Sequence, residues 1–185
     1  MDKEWNAYYE QLLIDTRKAF LKLFENREHF YYCTLTTTGD GLTPVISAWS
    51  HEALERATRN NPEEKEYMEW SYSDSPYYAW EYESFAKTTE LLKKRPGMMD
   101  LNDDEWDKEI DCRMEVMESV MAQLDKEGIF SFNQDRREIV VLAEIMPPDY
   151  SNVMIAQRLN EADNPMLLKW MEDAAELLSE EDMDE

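Results

Sequence analysis

The sequence contains little cysteine, glycine or histidine, and each shortage excludes a class of site. Its two cysteines, Cys33 and Cys112, are too few for a disulfide scaffold and lack the Cys-x-x-Cys spacing of zinc and redox sites. Four glycines leave no room for a glycine-rich phosphate-binding loop. The two histidines, His29 and His51, are expected to be partly exposed at the end of a hairpin. We therefore predict no catalytic residue, no metal and no cofactor.

Positive charge is also scarce. Only 19 Lys and Arg oppose 42 Asp and Glu, which gives a formal net charge of -23. Such a charge disfavours direct contact with nucleic acid or with an anionic membrane, and it predicts that a large partner is basic. No apolar run approaches the roughly 18–20 residues of a membrane span, and the acidic start does not fit a signal peptide. We expect a cytoplasmic protein, and the sequence leaves its oligomeric state open.

What the chain does contain is enough apolar surface to fold, since 43% of its residues are hydrophobic. Its length fits one domain, which we place at residues 1–178, followed by an acidic tail at residues 179–185. Runs of aromatic, β-branched and other apolar residues predict two hairpins: Phe30–Thr37 with Val45–Trp49, and Ile129–Phe132 with Ile139–Met146. The first is expected to turn at Gly39 and Asp40, with positive φ at Gly39.

Helices are predicted wherever apolar residues recur at spacings of three and four. The predicted segments are Asp2–Arg27, the stretch capped by Ser50 up to about Asn60, Pro76–Arg95 capped by Asp74 or Ser75, Asn102 to Gly128, and a last helix from Pro165. Asn102 with Glu105 forms a capping-box pattern, which makes the fourth segment the clearest. The expected fold is α+β, an antiparallel sheet of about four to five strands built from two hairpins and covered by amphipathic helices.

A cluster of acidic residues marks the start of the fourth helix. Its members are Asp100, Asp103, Asp104, Glu105, Asp107, Glu109 and Asp111. The helix macrodipole favours acids at this end, so ordinary capping explains part of the cluster. It does not explain the charge of the whole chain, and a solvated surface and a partner-binding surface both stay open. As partner-binding acids we select Asp100, Asp103, Asp104, Glu105 and Asp107, with Glu172–Glu185 as a second acidic segment.

Eight aromatic residues lie between Tyr67 and Phe85. Acidic neighbours argue against the stacking of nucleobases on them. They supply either core packing or an interface anchor, and Trp70, Tyr72, Asp74 and Tyr77 are the candidates for partner contact. The same stretch suggests an alternative, a small-molecule pocket. Its lining would be Trp49, Trp70, Tyr72, Asp74 and Tyr77.

Several short strings occur together in one order. They are Phe30–Leu35 before T-T-G-D-G, I-S-A-W-S at Ile46–Ser50, W-S-Y-S-D-S-P-Y at Trp70–Tyr77, Gly128–Phe130 before a predicted strand, M-P-P-D at Met146–Asp149 and R-L-N at Arg158–Asn160. From about residue 5 to residue 175 the chain resembles the bacterial domain-of-unknown-function family DUF4303. The resemblance implies a soluble single-domain protein without an assigned activity, and by analogy an immunity protein.

These observations rank three functions. The first is a non-enzymatic binding protein of the immunity or inhibitor type, which neutralises a basic toxin such as a nuclease by presenting carboxylates. The second is a small-molecule-binding or enzymatic domain with the aromatic pocket described above. The third is a structural or scaffold subunit, which would self-associate.

Overall fold

The structure is a computed structural model that describes residues 3–176. Within that range the chain forms one three-stranded sheet and seven α-helices. The strands are β1 (Phe30–Thr38), β2 (Val45–Ser50) and β3 (Val140–Met146). The helices are α1 (Lys3–Phe24), α2 (His51–Thr58), α3 (Lys65–Met68), α4 (Ala86–Leu92), α5 (Asp103–Lys126), α6 (Tyr150–Leu159) and α7 (Pro165–Asp173). None of these helices is long and apolar enough to cross a membrane.

The predicted sheet is only partly correct, because it has three strands in the order β2-β1-β3. β1 and β2 form the expected antiparallel hairpin, whereas β3 pairs with β1 in parallel. The second predicted hairpin does not exist, since Ile129–Ser131 is a 3-10 turn rather than a strand. Phe130 in that turn packs edge-on against Phe20 of α1, with ring centroids 5.1 Å apart. The core thus holds this segment in a turn instead of along the sheet.

The first hairpin differs in its turn and register. Cys33 lies opposite Ala48, whereas a tight turn at Gly39 and Asp40 would place Cys33 opposite Ile46. The connection is a longer loop in which Gly41, not Gly39, has the positive φ, of 66°. Arg113 of α5 donates a hydrogen bond to the Gly41 carbonyl and so ties this loop to α5.

Two asparagines on α6 and at its end protect the free edge of β3. The amide of Asn152 accepts from the Ile145 N–H at 2.8 Å and donates to the Ile145 carbonyl at 3.0 Å. Asn160 makes the same pair of bonds with Val141, at 3.0 and 2.7 Å. These side chains take the place of a neighbouring strand, since an uncovered edge would leave backbone groups unpaired.

The helix predictions are right where capping residues define them. Asn102 and Glu105 form the complete capping box of α5, Ser50 caps α2 and Asn164 caps α7. The predicted helix from Pro76 is wrong over its first half, because α4 begins only at Ala86. Residues 177–185, which include the predicted acidic tail, lie outside the described part of the chain.

Candidate functional site

A row of carboxylates runs along one side of α5. We call it the acid row, and it consists of Asp104, Asp107, Asp111, Glu115 and Glu118. Successive members are three or four residues apart, so they are neighbours on the helix surface. The first four are exposed and Glu118 is half-buried.

The acid row borders a groove between α5 and α6. The groove has a volume of about 410 Å³. Its floor is apolar and includes Ile110, Met114 and Met154, of which Met154 is 47% exposed. Carboxylates of the acid row and Asp149 line it, and its one lining cation, Arg158, donates two hydrogen bonds of 2.7 Å to Glu118. The groove therefore combines an apolar floor with a predominantly acidic rim.

The fold itself does not benefit from most of this row. The helix macrodipole stabilises acids only in the first turn, and Asp111, Glu115 and Glu118 lie beyond it. Like charges three or four residues apart on a helix destabilise it by roughly 0.2–0.5 kcal/mol per pair. Among the described residues, Glu118 is the only member of the row that forms an ion pair. A partner that supplies positive charge would relieve this repulsion.

The predicted partner-binding acids divide into two groups. Asp100, Asp103, Asp104 and Glu105 are exposed around the start of α5, and Glu105 is used by the capping box. Asp107 is the one that lines the groove.

Glu109 belongs to the sequence cluster but not to the acidic surface. It is 6% exposed and lies between two arginines. Arg95 donates to it at 2.6 and 3.2 Å, and Arg113, itself 4% exposed, donates at 3.0 and 3.1 Å. Arg113 also donates to the carbonyls of Gly41 and Pro96. This triad, in which Glu109 and Arg113 are buried and Arg95 is half-buried, joins α5 to the hairpin loop and to the segment after α4.

Of the predicted aromatic anchors, Tyr77 is a core residue. It is 9% exposed, and its hydroxyl donates to Glu28 at 2.7 Å. The same oxygen accepts from Asn26 at 3.1 Å and from Arg56 at 3.3 Å. Burial and the adjacent Glu28 carboxylate raise the pKa of Tyr77 to about 12. Its hydroxyl group is thus fully engaged within the chain, which gives Tyr77 a structural role.

Trp70 and Asp74 also have structural contacts. Trp70 is half-buried, packs edge-on against Tyr31, and donates its ring N–H to Asp173 of α7 at 3.1 Å. Asp74 is exposed and accepts from Ser71 at 2.5 Å. It caps no helix, because the chain continues into turns with positive φ at Ala79 and Glu81.

The five residues predicted to line an aromatic pocket lie in different surroundings. Trp49 is fully buried and donates its ring N–H to the Ser71 carbonyl at 2.7 Å. Of the five predicted lining residues, only Tyr72 contributes to a cavity of about 670 Å³ at the loop end of the hairpin.

The two histidines lie near each other at one edge of a small cleft. His29 is exposed, and its ring Nδ1 lies 2.6 Å from a Glu52 carboxylate oxygen, which raises the pKa of His29. His51 stacks on the ring of Tyr31. Within residues 3–176, no group of three or more His, Cys, Asp or Glu is arranged to hold a metal ion.

The sequence interpretation missed the second wall of the groove. The sequence analysis predicts no helix or strand in residues 149–163, although Asp149 accepts a hydrogen bond from the Ser151 N–H and caps α6. Apolar residues at Val153, Ala156 and Leu159 carry a helical spacing that could have revealed it.

A protein-family model matches most of the chain. The model for the Domain of unknown function (DUF4303) matches residues 12–161. The chain belongs to DUF4303. The part that matches DUF4303 contains the whole acid row and both walls of the groove, whereas α7 lies beyond it. No curated protein and no solved structure matches the chain.

Proposed function

We propose that this protein is a non-enzymatic binding protein of the immunity or inhibitor type, which neutralises a basic toxin such as a nuclease in the cytoplasm. The observation that carries the proposal is the acid row, which continues beyond the first turn of α5 along an apolar-floored groove. Carboxylates at this position repel one another and add nothing to capping, so their benefit is expected in a complex.

The groove supplies both parts of an interface. Carboxylates on its rim attract a cationic partner over long range and accelerate the encounter. The apolar floor, with the half-exposed Met154, then provides the surface that excludes water and gives short-range affinity. A basic helix or loop with one or two apolar side chains has the required chemistry. A nuclease that uses cations to hold phosphate would be inhibited by carboxylates in the place of its substrate.

The test is partner capture with two variants of equal charge. The row variant neutralises three acids of the groove: Asp107→Asn, Asp111→Asn and Glu115→Gln. The control variant neutralises three exposed acids around α2 and α3: Glu55→Gln, Glu63→Gln and Glu66→Gln. Wild type and both variants are immobilised on a resin and incubated with lysate of the native host. The captured proteins are identified by mass spectrometry. The main partner is then purified and its affinity measured at two salt concentrations.

We expect a basic partner whose affinity falls by about tenfold or more, roughly 1.4 kcal/mol, in the row variant. Most of the change should lie in the association rate and should shrink at high salt. The control variant should bind like wild type. An equal loss of affinity in both variants would mean that binding depends on the net charge of the protein and not on the acid row, which would contradict the proposed site. A partner that is not basic would contradict the proposal outright.

A further inference from the structure

A second candidate site lies at the loop end of the β1–β2 hairpin, away from the acid row. It is the cavity of about 670 Å³, within the size range of small-molecule sites. Its walls come from β1, the hairpin loop, the aromatic stretch, α4 and the segment before α5. No member of the acid row lines it. A ligand bound here would therefore not compete directly with the basic partner.

Aromatic and apolar side chains of this cavity are open to solvent. Tyr78 is 47% exposed and Tyr82 is 51% exposed, and both line the cavity. Tyr72 packs edge-on against Tyr78, with ring centroids 5.7 Å apart. Leu42, which also lines the cavity, is 60% exposed. The face of a tyrosine ring attracts cations, because its electrostatic potential is negative, and the same wall accepts apolar groups.

The three cations that line the cavity are balanced by carboxylates from outside it. The ion pairs are Lys93 with Glu90 at 2.9 Å, Arg113 with Glu109 at 3.0 Å, and Arg95 with Glu109 at 2.6 Å and with Glu4 at 3.3 Å. Three carboxylates thus oppose three cations. An anionic ligand would have to displace one of these carboxylates, so the cavity is unsuited to an anion.

Asp40 leaves the cavity with one negative charge that is not balanced. Of the described residues, it alone contributes a carboxylate to the lining, and it is exposed. Within that part of the chain its side chain forms no ion pair and accepts no hydrogen bond. The chain as a whole, with a net charge of -23, adds a field that concentrates cations around it. The cavity therefore favours a ligand that carries positive charge.

The single carboxylate indicates an organic cation rather than a metal ion. Calcium and magnesium are held by several oxygen ligands, and within residues 3–176 no group of three or more His, Cys, Asp or Glu is arranged to hold a metal ion. Tyrosine rings and an exposed leucine instead offer contact to the carbon atoms of an organic molecule.

We propose that this cavity binds a small organic cation, a protonated amine attached to an aromatic or aliphatic body. The ammonium group lies against the exposed ring of Tyr78 and is attracted by Asp40. The apolar body packs against the remaining tyrosine rings and Leu42. Binding involves no chemical step.

The first test is a panel of three amines, each with an uncharged and an anionic counterpart of similar shape. The amines are tryptamine, tyramine and phenethylamine, the alcohols are indole-3-ethanol, tyrosol and 2-phenylethanol, and the acids are indole-3-propionate, 3-(4-hydroxyphenyl)propionate and 3-phenylpropionate. Binding is measured by calorimetry and by thermal shift. We expect at least one amine to bind saturably and to raise Tm, and its alcohol and acid to bind about tenfold more weakly or less. Saturable binding by none of the amines, or an alcohol or acid that binds as tightly as its amine, would overturn the proposal.

The variant Asp40→Asn separates this site from the general attraction of an acidic protein for cations. It removes the charge and keeps the size of a side chain on which no contact of the fold depends, so Tm without probe should not change. The control Glu66→Gln removes one charge from α3, at an exposed position outside the cavity. We expect Asp40→Asn to bind the amine about fivefold more weakly and the control to bind it like wild type. Equal affinity of the two variants, or a loss confined to the row variant, would show that the amine does not use this cavity.

The variant Tyr78→Leu tests the aromatic ring, because it keeps an apolar side chain and removes the ring face. Its control is Tyr67→Leu, since Tyr67 is 79% exposed and lies outside the cavity. Both variants are assayed at a temperature at which circular dichroism shows them folded. We expect only Tyr78→Leu to weaken binding of the amine, by about threefold. If both variants bind the amine with equal affinity, the ring of Tyr78 does not contact the ammonium group, and the proposed site is wrong.

Discussion

Glu109 and Asp111 lie two residues apart on α5, and we predict that they respond in opposite directions to the same loss of charge. Glu109→Gln and Asp111→Asn each remove one negative charge and nearly preserve the side-chain shape. If net repulsion were the dominant effect, both variants would be more stable than wild type. The contacts indicate instead that Glu109 holds the fold together and that Asp111 does not.

The magnitude follows from the surroundings of each carboxylate. Glu109 accepts four N–H groups from Arg95 and Arg113, and both Glu109 and Arg113 are almost fully buried. Removal of one partner from a buried ion pair costs about 3–5 kcal/mol, because it leaves charge buried without compensation. Arg113 keeps the Gly41 and Pro96 carbonyls, so we expect the lower end, about 3 kcal/mol.

Asp111 is exposed and lies four residues from both Asp107 and Glu115. Relief of two like-charge contacts should stabilise the Asp111→Asn variant by a few tenths of a kcal/mol. The assay is urea unfolding at neutral pH, followed by circular dichroism, with the slope of the transition checked for two-state behaviour. For a chain of this size, the loss at Glu109 corresponds to a fall in Tm of about 6–12 °C. A change below 1 kcal/mol in Glu109→Gln, or equal shifts in both variants, would refute the role assigned to the triad.

Three further predictions concern the fold. Gly41→Ala should destabilise the protein more than Gly128→Ala in thermal unfolding: both have positive φ, but the new Cβ at Gly41 would lie 2.7 Å from a methionine side chain whereas Gly128 has open space. Asn160→Ala should cost about 2 kcal/mol and accelerate amide exchange in β3, because it unpairs buried backbone groups; unchanged exchange would contradict the edge role. Hydrogen bonds from Arg17 lower the pKa of Glu127 to about 2. The stabilisation of the fold by the ionised Glu127 is therefore fully present above the pKa of a glutamate in the unfolded chain, about 4.3, and disappears as pH falls toward 2. The Tm difference between wild type and Glu127→Gln should therefore be larger at about pH 6 than at about pH 3.

Local signals in the sequence were sufficient to predict the helices that have capping residues. The capping box at Asn102 and the Asn164-Pro165 pair describe contacts within a few residues, and such contacts do not depend on the rest of the fold. Asp107 and the apolar residues that form the groove floor on α5 were recoverable for the same reason. The other wall of the groove, α6, was not predicted, because the sequence analysis did not recognise this short helix.

The sheet and the aromatic stretch could not be predicted from local pattern. β3 is an almost continuous apolar run that fits a hairpin and a parallel strand equally well, and the choice depends on β1, about a hundred residues earlier in the chain. After Pro76 the sequence favours a helix. The structure instead holds Ser75 against the Ala48 carbonyl of β2 and Tyr77 in the core. These long-range contacts override the local preference.

In the acidic cluster at the start of α5, the spacing of the residues separates exposed from buried carboxylates, which a count of acidic residues does not. Each residue of an α-helix is rotated by about 100° from the one before it. Asp107 and Asp111 are therefore about 40° apart, whereas Glu109 lies about 160° from either and shares its side of the helix with Arg113. The same residue type thus stabilises the core on one side and repels its neighbours on the other. The net charge of -23 includes acids such as Glu109 that are already paired with arginines inside the fold. A partner surface is therefore better identified from carboxylates that share one exposed side of a helix than from the net charge.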